Sequence, residues 1–184
     1  LQRLHSSDVL KRASSASPFL DRIENAMMKW LSLLAWIIGC VAVGGVGAWL
    51  GGTMGAADPW YNDIAKPSWT PPDRIFGPVW TILYITMGIA AWRVSERRSE
   101  KAVTVPLVVF GVQLLANLLW SWLFFGLHRI DLALIDIGIL LVSLATTIVL
   151  FLRVDRAAGL LLLPYLCWVS FATALNAAIW RLNP

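Results

Sequence analysis

Residues 103–127 read VTVPLVVFGVQLLANLLWSWLFFGL, without a single formal charge. A hydrocarbon core of roughly 30 Å takes about 20 apolar residues of helix to cross, so this stretch is predicted to span a bilayer. Working outward, four further runs qualify, at about 30–51, 76–94, 132–152 and 157–181. The breaks between them are short and charged: SERRSEK at 95–101, HRID at 128–131 and RVDR at 153–156. Connections of that length force neighbouring helices to run antiparallel, and only the connection at 53–75 is long. The runs are continuous rather than the alternating strands of about ten residues that build a membrane β-barrel. Composition agrees, with 58% hydrophobic residues, 14% charged and a mean hydropathy of +0.69, against about 25% charged in a soluble domain. The expected fold class is an all-α membrane protein: a bundle of five transmembrane helices with an ordered Pro/Trp-rich loop between the first and second.

The basic residues orient the bundle. Arg3, Lys11, Arg12, Arg22, Lys29, Arg93, Arg97, Arg98, Lys101, Arg153 and Arg156 fall on the side of the N-terminus, whereas Lys66, Arg74, Arg129 and Arg181 fall on the other. Cytoplasmic flanks carry the excess of Lys and Arg, so the N-terminus is expected in the cytoplasm and the 53–75 loop on the opposite side. This asymmetry accounts for the net charge of +4, and no nucleic-acid partner is expected. Cys40 and Cys167 lie inside apolar runs and His5 and His128 stand apart, which speaks against a disulfide framework or a metal site. Residues 1–28, with five serines and mixed charge, are expected to be a polar cytoplasmic tail, amphipathic or disordered, preceding a membrane domain at 29–184. The alternative of a targeting segment is opposed by Asp8, Asp21 and Glu24.

In lipid, hydrophobicity does not tell a helix which face to bury; small and polar residues mark the interface. Each span carries such a stripe at three- and four-residue steps. Span 1 has Cys40, Gly44, Gly47 and Gly51, including a GxxxG pair, and is expected to pack closely against a neighbour. Span 2 has Phe76, Trp80, Tyr84 and Met87, and span 3 has Phe110, Gln113, Asn117, Trp120 and Phe124. Span 4 has Asp136, Leu140, Ser143 and Thr147, and span 5 has Tyr165, Trp168, Ala172 and Asn176. Large flat walls with a few orienting polar groups suit a ligand cavity. Gln113 and Asn117 could equally be interhelical glue, worth ~1 kcal/mol each, and Asp136 could reach interfacial water. Of the tryptophans, Trp30, Trp49, Trp60, Trp69, Trp92 and Trp180 sit near span boundaries, where an aromatic belt explains them. Trp80, Trp120 and Trp168 fall on the polar-marked stripes and are the better candidates for ligand contact.

The long loop contains Asp58-Pro59-Trp60-Tyr61 and Lys66-Pro67-Ser68-Trp69-Thr70-Pro71-Pro72. Proline fixes φ and removes donors, while the aromatics need somewhere to bury. The loop is therefore expected to form an ordered lid over the bundle mouth, or else a rigid interfacial hairpin without a ligand.

These blocks resemble the TspO/MBR family, the tryptophan-rich sensory proteins related to the translocator protein or peripheral benzodiazepine receptor. The resemblance rests on WYNDIAKPSWTPP at 60–72, FGPVWTILYITMGIAAWRV at 76–94, QLLANLLWSWLFFGLHR at 113–129 and LPYLCWVSFATALNAAIWRLN at 163–183. It implies a five-helix bundle, usually a homodimer, that binds tetrapyrroles such as protoporphyrin IX or haem and, in some members, sterols and synthetic ligands. No covalently held cofactor is implied. By motif, the resemblance places Trp60, Tyr61, Pro71, Trp80, Asn117, Trp120, Asp136, Trp168 and Ala172 at the ligand cavity; periodicity adds Tyr84 and Gln113. One departure is visible at Leu175-Asn176-Ala177-Ala178-Ile179-Trp180-Arg181, where the vertebrate sterol-recognition pattern needs a tyrosine that is absent here.

The function expected on these grounds is tetrapyrrole binding in a membrane, bacterial by preference, with a regulatory or sensory role. A porphyrin could lie between Trp80, Trp120 and Trp168, with Lys66, Arg74, Arg129 and Arg181 near its carboxylates. Two alternatives stand beside it. One is light-dependent porphyrin degradation with Trp80 and Trp168 as electron donors; the other is a tetrapyrrole or sterol carrier. Hydrolytic or group-transfer chemistry has no nucleophile–base pair, metal cluster or phosphate loop to rest on.

Overall fold

The computed structural model describes residues 3–51, 59–97 and 100–183, with side chains described at 18–51, 59–97 and 102–183. It is all-α, and no strand occurs among the described residues. The helices are α1 (Arg3–Leu50), α2 (Pro59–Asp63), α3 (Phe76–Ser95), α4 (Glu100–Ser121), α5 (Ile130–Val154), α6 (Arg156–Leu161) and α7 (Leu163–Leu182). Five helical stretches are long and apolar enough to cross a membrane: Pro18–Leu50, Asp73–Ser95, Ala102–Gly126, Ile130–Val154 and Arg156–Leu182. All five predicted spans are present, each with boundaries moved by a few residues except the first, whose helix begins far upstream of residue 30. Backbone hydrogen bonding continues past the point where hydropathy falls, so an apolar window understates a helix that carries polar ends. The chain forms two compact units, residues 1–35 and 36–184. Within the first, Asn25 donates from Nδ2 to the Asp21 carbonyl at 2.7 Å, one turn back. The bundle described below is the second unit.

Its interior is continuous through most of the depth of the bundle. Leu83, Met87, Ala90 and Val94 of α3 meet Phe110 of α4, Leu140, Leu144 and Phe151 of α5, and Tyr165 and Val169 of α7. A smaller cluster at the loop end joins Tyr61, Phe124, Ile130, Ala133, Leu175 and Ile179. The polar members of the sequence stripes are interior as well: Gln113, Asn117, Asp136, Thr147 and Asn176 are all buried. By contrast Trp49, Trp69 and Trp180 are exposed, as an aromatic belt requires.

Small residues set the helix spacing where lipid supplies no hydrophobic driving force. A Cβ built on Gly88 would lie 2.6 Å from Ile37 Cα, so α1 and α3 touch backbone to backbone there. One turn away, a Cβ on Gly44 would collide with the Tyr84 ring. The Gly47–Gly51 pair packs on the third span as its spacing predicts: a Cβ on Gly47 would lie 3.4 and 3.5 Å from Ser121 and Leu118, and one on Gly51 would lie 3.1 Å from Phe125.

Two helices depart from regular geometry. The third span ends in a wide π-type turn at Trp122–Gly126, in which the Leu127 amide donates to the Trp122 carbonyl at 2.8 Å. The chain then reverses through His128, whose φ is 55°. The fifth span breaks between α6 and α7 at Leu162, two residues before Pro164, because proline has no N–H for the preceding turn.

At the end away from the loop, Asp155 ties three spans together. Its carboxylate accepts from the Ala158 amide at 3.0 Å, capping α6, and from Arg93 at 3.1 and 3.2 Å and Arg97. Burial alone would raise the Asp155 carboxyl, but the hydrogen bonds from Arg97, the Ala158 amide and Arg93 outweigh it and hold the group well below the usual carboxylate range. A carboxyl depressed in the folded state stabilises above its unfolded value, about 3.9, and that stabilisation disappears as pH falls. Thermal unfolding in detergent should therefore show a stability loss below about pH 4 that Asp155→Asn largely removes. At neutral pH, Asp155→Ala should cost roughly 2 kcal/mol, by uncapping α6 and removing the acceptor shared by Arg93 and Arg97.

Candidate functional site

The loop end of the bundle contains a partly open cavity of about 340 Å³, within the range of small-molecule sites. α1 supplies a nearly bare wall of Val41, Gly44, Gly45, Gly47, Ala48 and Gly51. α3 brings Phe76, Gly77, Trp80, Thr81 and Tyr84; the third span brings Trp120, Ser121, Phe124 and Phe125; α7 brings Trp168, Phe171, Ala172, Leu175, Asn176 and Ile179. Tyr61 of the loop covers the cavity from above. The absence of side chains on α1 leaves the room; the aromatics opposite line it.

Below the cavity, Tyr84, Asn117 and Tyr165 form one hydrogen-bonded node. The Tyr84 hydroxyl donates to Asn117 Oδ1, and Asn117 Nδ2 donates to the Tyr165 hydroxyl oxygen at 2.9 Å. Spans 2, 3 and 5 are thereby joined at three fully interior side chains. A second link fixes a wall: the Trp120 indole donates to Asn176 Oδ1 at 3.0 Å, and Asn176 Nδ2 donates to the Ile130 carbonyl at 3.1 Å. Trp120 also stacks on Phe124, with ring centroids 5.3 Å apart at 23°. Trp80 packs between Tyr84 and Tyr165 at 5.7 and 6.1 Å. Trp168 meets Phe76 and Phe171, both at 5.7 Å.

The loop is anchored at three places. Asn183, just past α7, clasps the Ala65 backbone from both sides: it accepts from the Ala65 amide at 3.0 Å and donates to the Ala65 carbonyl at 2.9 Å. Tyr61 is buried against Phe124 and Phe125, and burial followed by the Asp73 carboxylate pushes its phenol up to about 12. Trp69 rests edge-on against Phe171 at 5.7 Å. Lys66 is used internally, donating to the Tyr61, Asn62 and Ile64 carbonyls at the end of α2, with its ammonium 4.5 Å over the Tyr61 ring.

Of the positions expected from sequence, Tyr61, Trp80, Tyr84, Trp120, Trp168 and Ala172 line the cavity together. Asn117 lies behind it, holding Tyr84. Trp60 stacks on His128 at 4.2 Å and 14° and meets Phe124 edge-on, so it braces the rim from outside. Pro71 is half-buried in the loop, away from the lining. Gln113 is buried one turn deeper, its Nε2 3.8 Å from Met87 Sδ and its Oε1 unpartnered among the described residues. Asp136 is buried on α5, which contributes no lining residue, with Oδ2 likewise unpartnered. Of the four basic residues expected near a bound carboxylate, Arg129 is held by Asp131 at 2.7 and 2.9 Å and Lys66 by the loop.

Sequence reasoning missed Phe125, Phe171 and the double role of the span 1 glycines. A GxxxG pattern signals close packing but does not reveal that the same bare face also bounds a hole. Phe125 is turned inward by the π-type turn, which shifts the helical register; no local motif announces that. Leu175, Asn176 and Ile179, within the stretch that lacks the sterol-pattern tyrosine, face the cavity.

This combination of five apolar helices, tryptophan walls and a proline-stiffened lid has relatives. The TspO/MBR family pattern matches residues 25–181. The chain belongs to the TspO/MBR family. It is similar to the tryptophan-rich protein TspO of Chlorobaculum tepidum, with 46% identity over 160 residues, covering 86% of this chain and 100% of that one. Protein CrtK of Rhodobacter capsulatus is 40% identical over 156 residues, covering 84% and 94%. The human translocator protein is 41% identical over 127 residues, covering 67% and 75%. With its five spans, this TspO/MBR protein is an integral membrane protein.

The Asn183 clasp gives a direct expectation for the lid. Asn183→Ala should speed exchange of the Ala65 amide at least about tenfold, while amides in the middle of α5 stay unchanged, since local opening is governed by the contacts of the segment itself. Hydrogen exchange followed by mass spectrometry checks this.

Proposed function

We propose that this TspO/MBR protein binds a tetrapyrrole, porphyrin or haem, in the lidded cavity, and that binding serves a regulatory or sensory role. The observation carrying this reading is the convergence of the Trp80, Trp120 and Trp168 indoles on one cavity beneath an anchored loop. A flat apolar macrocycle suits aromatic walls, because offset-stacked and edge-on contacts add about 0.5–1.5 kcal/mol each beyond burial. Its anionic edge would meet Arg74 and Arg181 at the loop end, since Lys66 and Arg129 are engaged within the protein.

The proposal includes the orientation argued from charge, with the N-terminus cytoplasmic and the lid opposite, in a bacterial membrane. It also includes the homodimer implied by the family resemblance. Photodegradation is the second reading, favoured by the place of Trp80 and Trp168 in the lining.

Protoporphyrin IX should quench tryptophan fluorescence of the purified protein saturably, and a Trp80→Phe, Trp168→Phe double variant should bind roughly tenfold more weakly. Unchanged affinity in that variant contradicts the proposal. Illumination separates the second reading: loss of the porphyrin absorption band faster than for free porphyrin, abolished in the double variant, would identify an enzyme.

A further inference from the structure

A second concavity of about 460 Å³ lies on the outer face of the bundle between α3 and α7, lined by Val79, Ile82, Leu83, Pro164, Cys167, Trp168 and Phe171. Ile82 and Cys167 are exposed on this face, and the groove falls within two predicted and observed spans, so it opens to hydrocarbon. Trp168 and Phe171 line both this groove and the central cavity. The wall between lipid and cavity is therefore one side chain thick at these two residues.

The chemistry of that wall differs from that of the wall across the cavity. Trp120 is locked by its hydrogen bond to Asn176. Among the described residues no hydrogen bond holds the Trp168 indole; ring contacts with Phe76 and Phe171 and partial burial keep it in place. The helix that carries it starts at Leu163 with Pro164 in its first turn, and Pro164 donates no backbone hydrogen bond to the turn before it. On the loop side, by contrast, the lid is clasped by Asn183 and plugged by Tyr61. Opening the lid breaks several hydrogen bonds, whereas turning the Trp168 ring breaks none.

We propose that Trp168 and Phe171 form a lateral gate, through which the flat apolar ligand passes between the bilayer and the central cavity by way of the α3–α7 groove. This inference rests on the ligand-binding reading above. It adds a direction of travel: the hydrophobic ligand reaches its site from dissolved state in the membrane, not from water through the lid.

Cys167 provides a native handle on the groove, because Cys40 is buried. Modifying the intact protein in detergent with benzyl methanethiosulfonate should fill the groove from its lipid side, and thiol reductant should reverse it. Stopped-flow absorbance with protoporphyrin IX is then expected to show association and dissociation both slowed, by roughly tenfold, with Kd within about twofold, because a blocked path raises one barrier common to both directions. Val79→Trp, which narrows the groove from α3, should give the same pattern, and Cys167→Ser treated with the reagent should behave as unmodified protein. Porphyrin binding with unchanged rates in both blocked forms would overturn the gate and leave the binding site standing, as would a changed Kd without common slowing. Failure of the unmodified protein to bind protoporphyrin IX would overturn the binding proposal, and the gate with it.

Discussion

The Tyr84–Asn117–Tyr165 node is the constraint on which the rest of the bundle depends. In hydrocarbon no water competes for these groups, and each unsatisfied polar atom would cost more than the bond itself returns. One asparagine side chain accepts a hydrogen bond from one tyrosine and donates one to another, so three helices are held at a single height and rotation. That rotation brings Trp80, four residues before Tyr84, and Trp168, three residues after Tyr165, toward the same space. It also places Trp120, three residues after Asn117, where Asn176 can accept from its indole. The cavity is thus the consequence of a polar register set one turn below it.

Around this node the molecule has two differently built ends. The Asp155 cluster joins α3, α5 and α6 through charge-assisted hydrogen bonds at a buried carboxylate. The loop end relies on aromatic packing and on the Asn183 clasp. The first suits a permanent tie; the second keeps a lid ordered over a cavity whose walls are rings. The glycines of α1 complete the arrangement, because a bare helix face lets a backbone touch α3 at Gly88 and still leaves volume a turn away.

Much of this was legible in the sequence, because a membrane span must carry its polar groups inward. The stripes of Tyr84, Gln113, Asn117, Tyr165 and Asn176 follow helical spacing, and all are buried. Trp80, Trp120 and Trp168 turn inward, but the same test set Trp60 at a boundary although it packs on the loop-end core, and it did not single out Trp36, which packs on the main core. What was not legible depends on local backbone departures and on contacts distant in sequence. Phe125 faces inward because of a π-type turn, and Asn183 holds Ala65 across 118 positions. Asp136 and Gln113 illustrate the opposite limit: polarity at the right spacing placed them in the interior, but one interior can hold a cavity and a packed core side by side. Periodicity finds the buried face and does not say how far along it the empty volume extends.

The central claim is an aromatic-walled cavity beneath the loop. Crystals of the ligand-free protein pressurised with xenon test it most directly, since apolar cavities of this kind take up the gas. The account requires xenon density between Trp80, Trp120 and Trp168, with Asn117 bonded to both tyrosines. Indole rings turned outward to the lipid and no xenon below Tyr61 would contradict it.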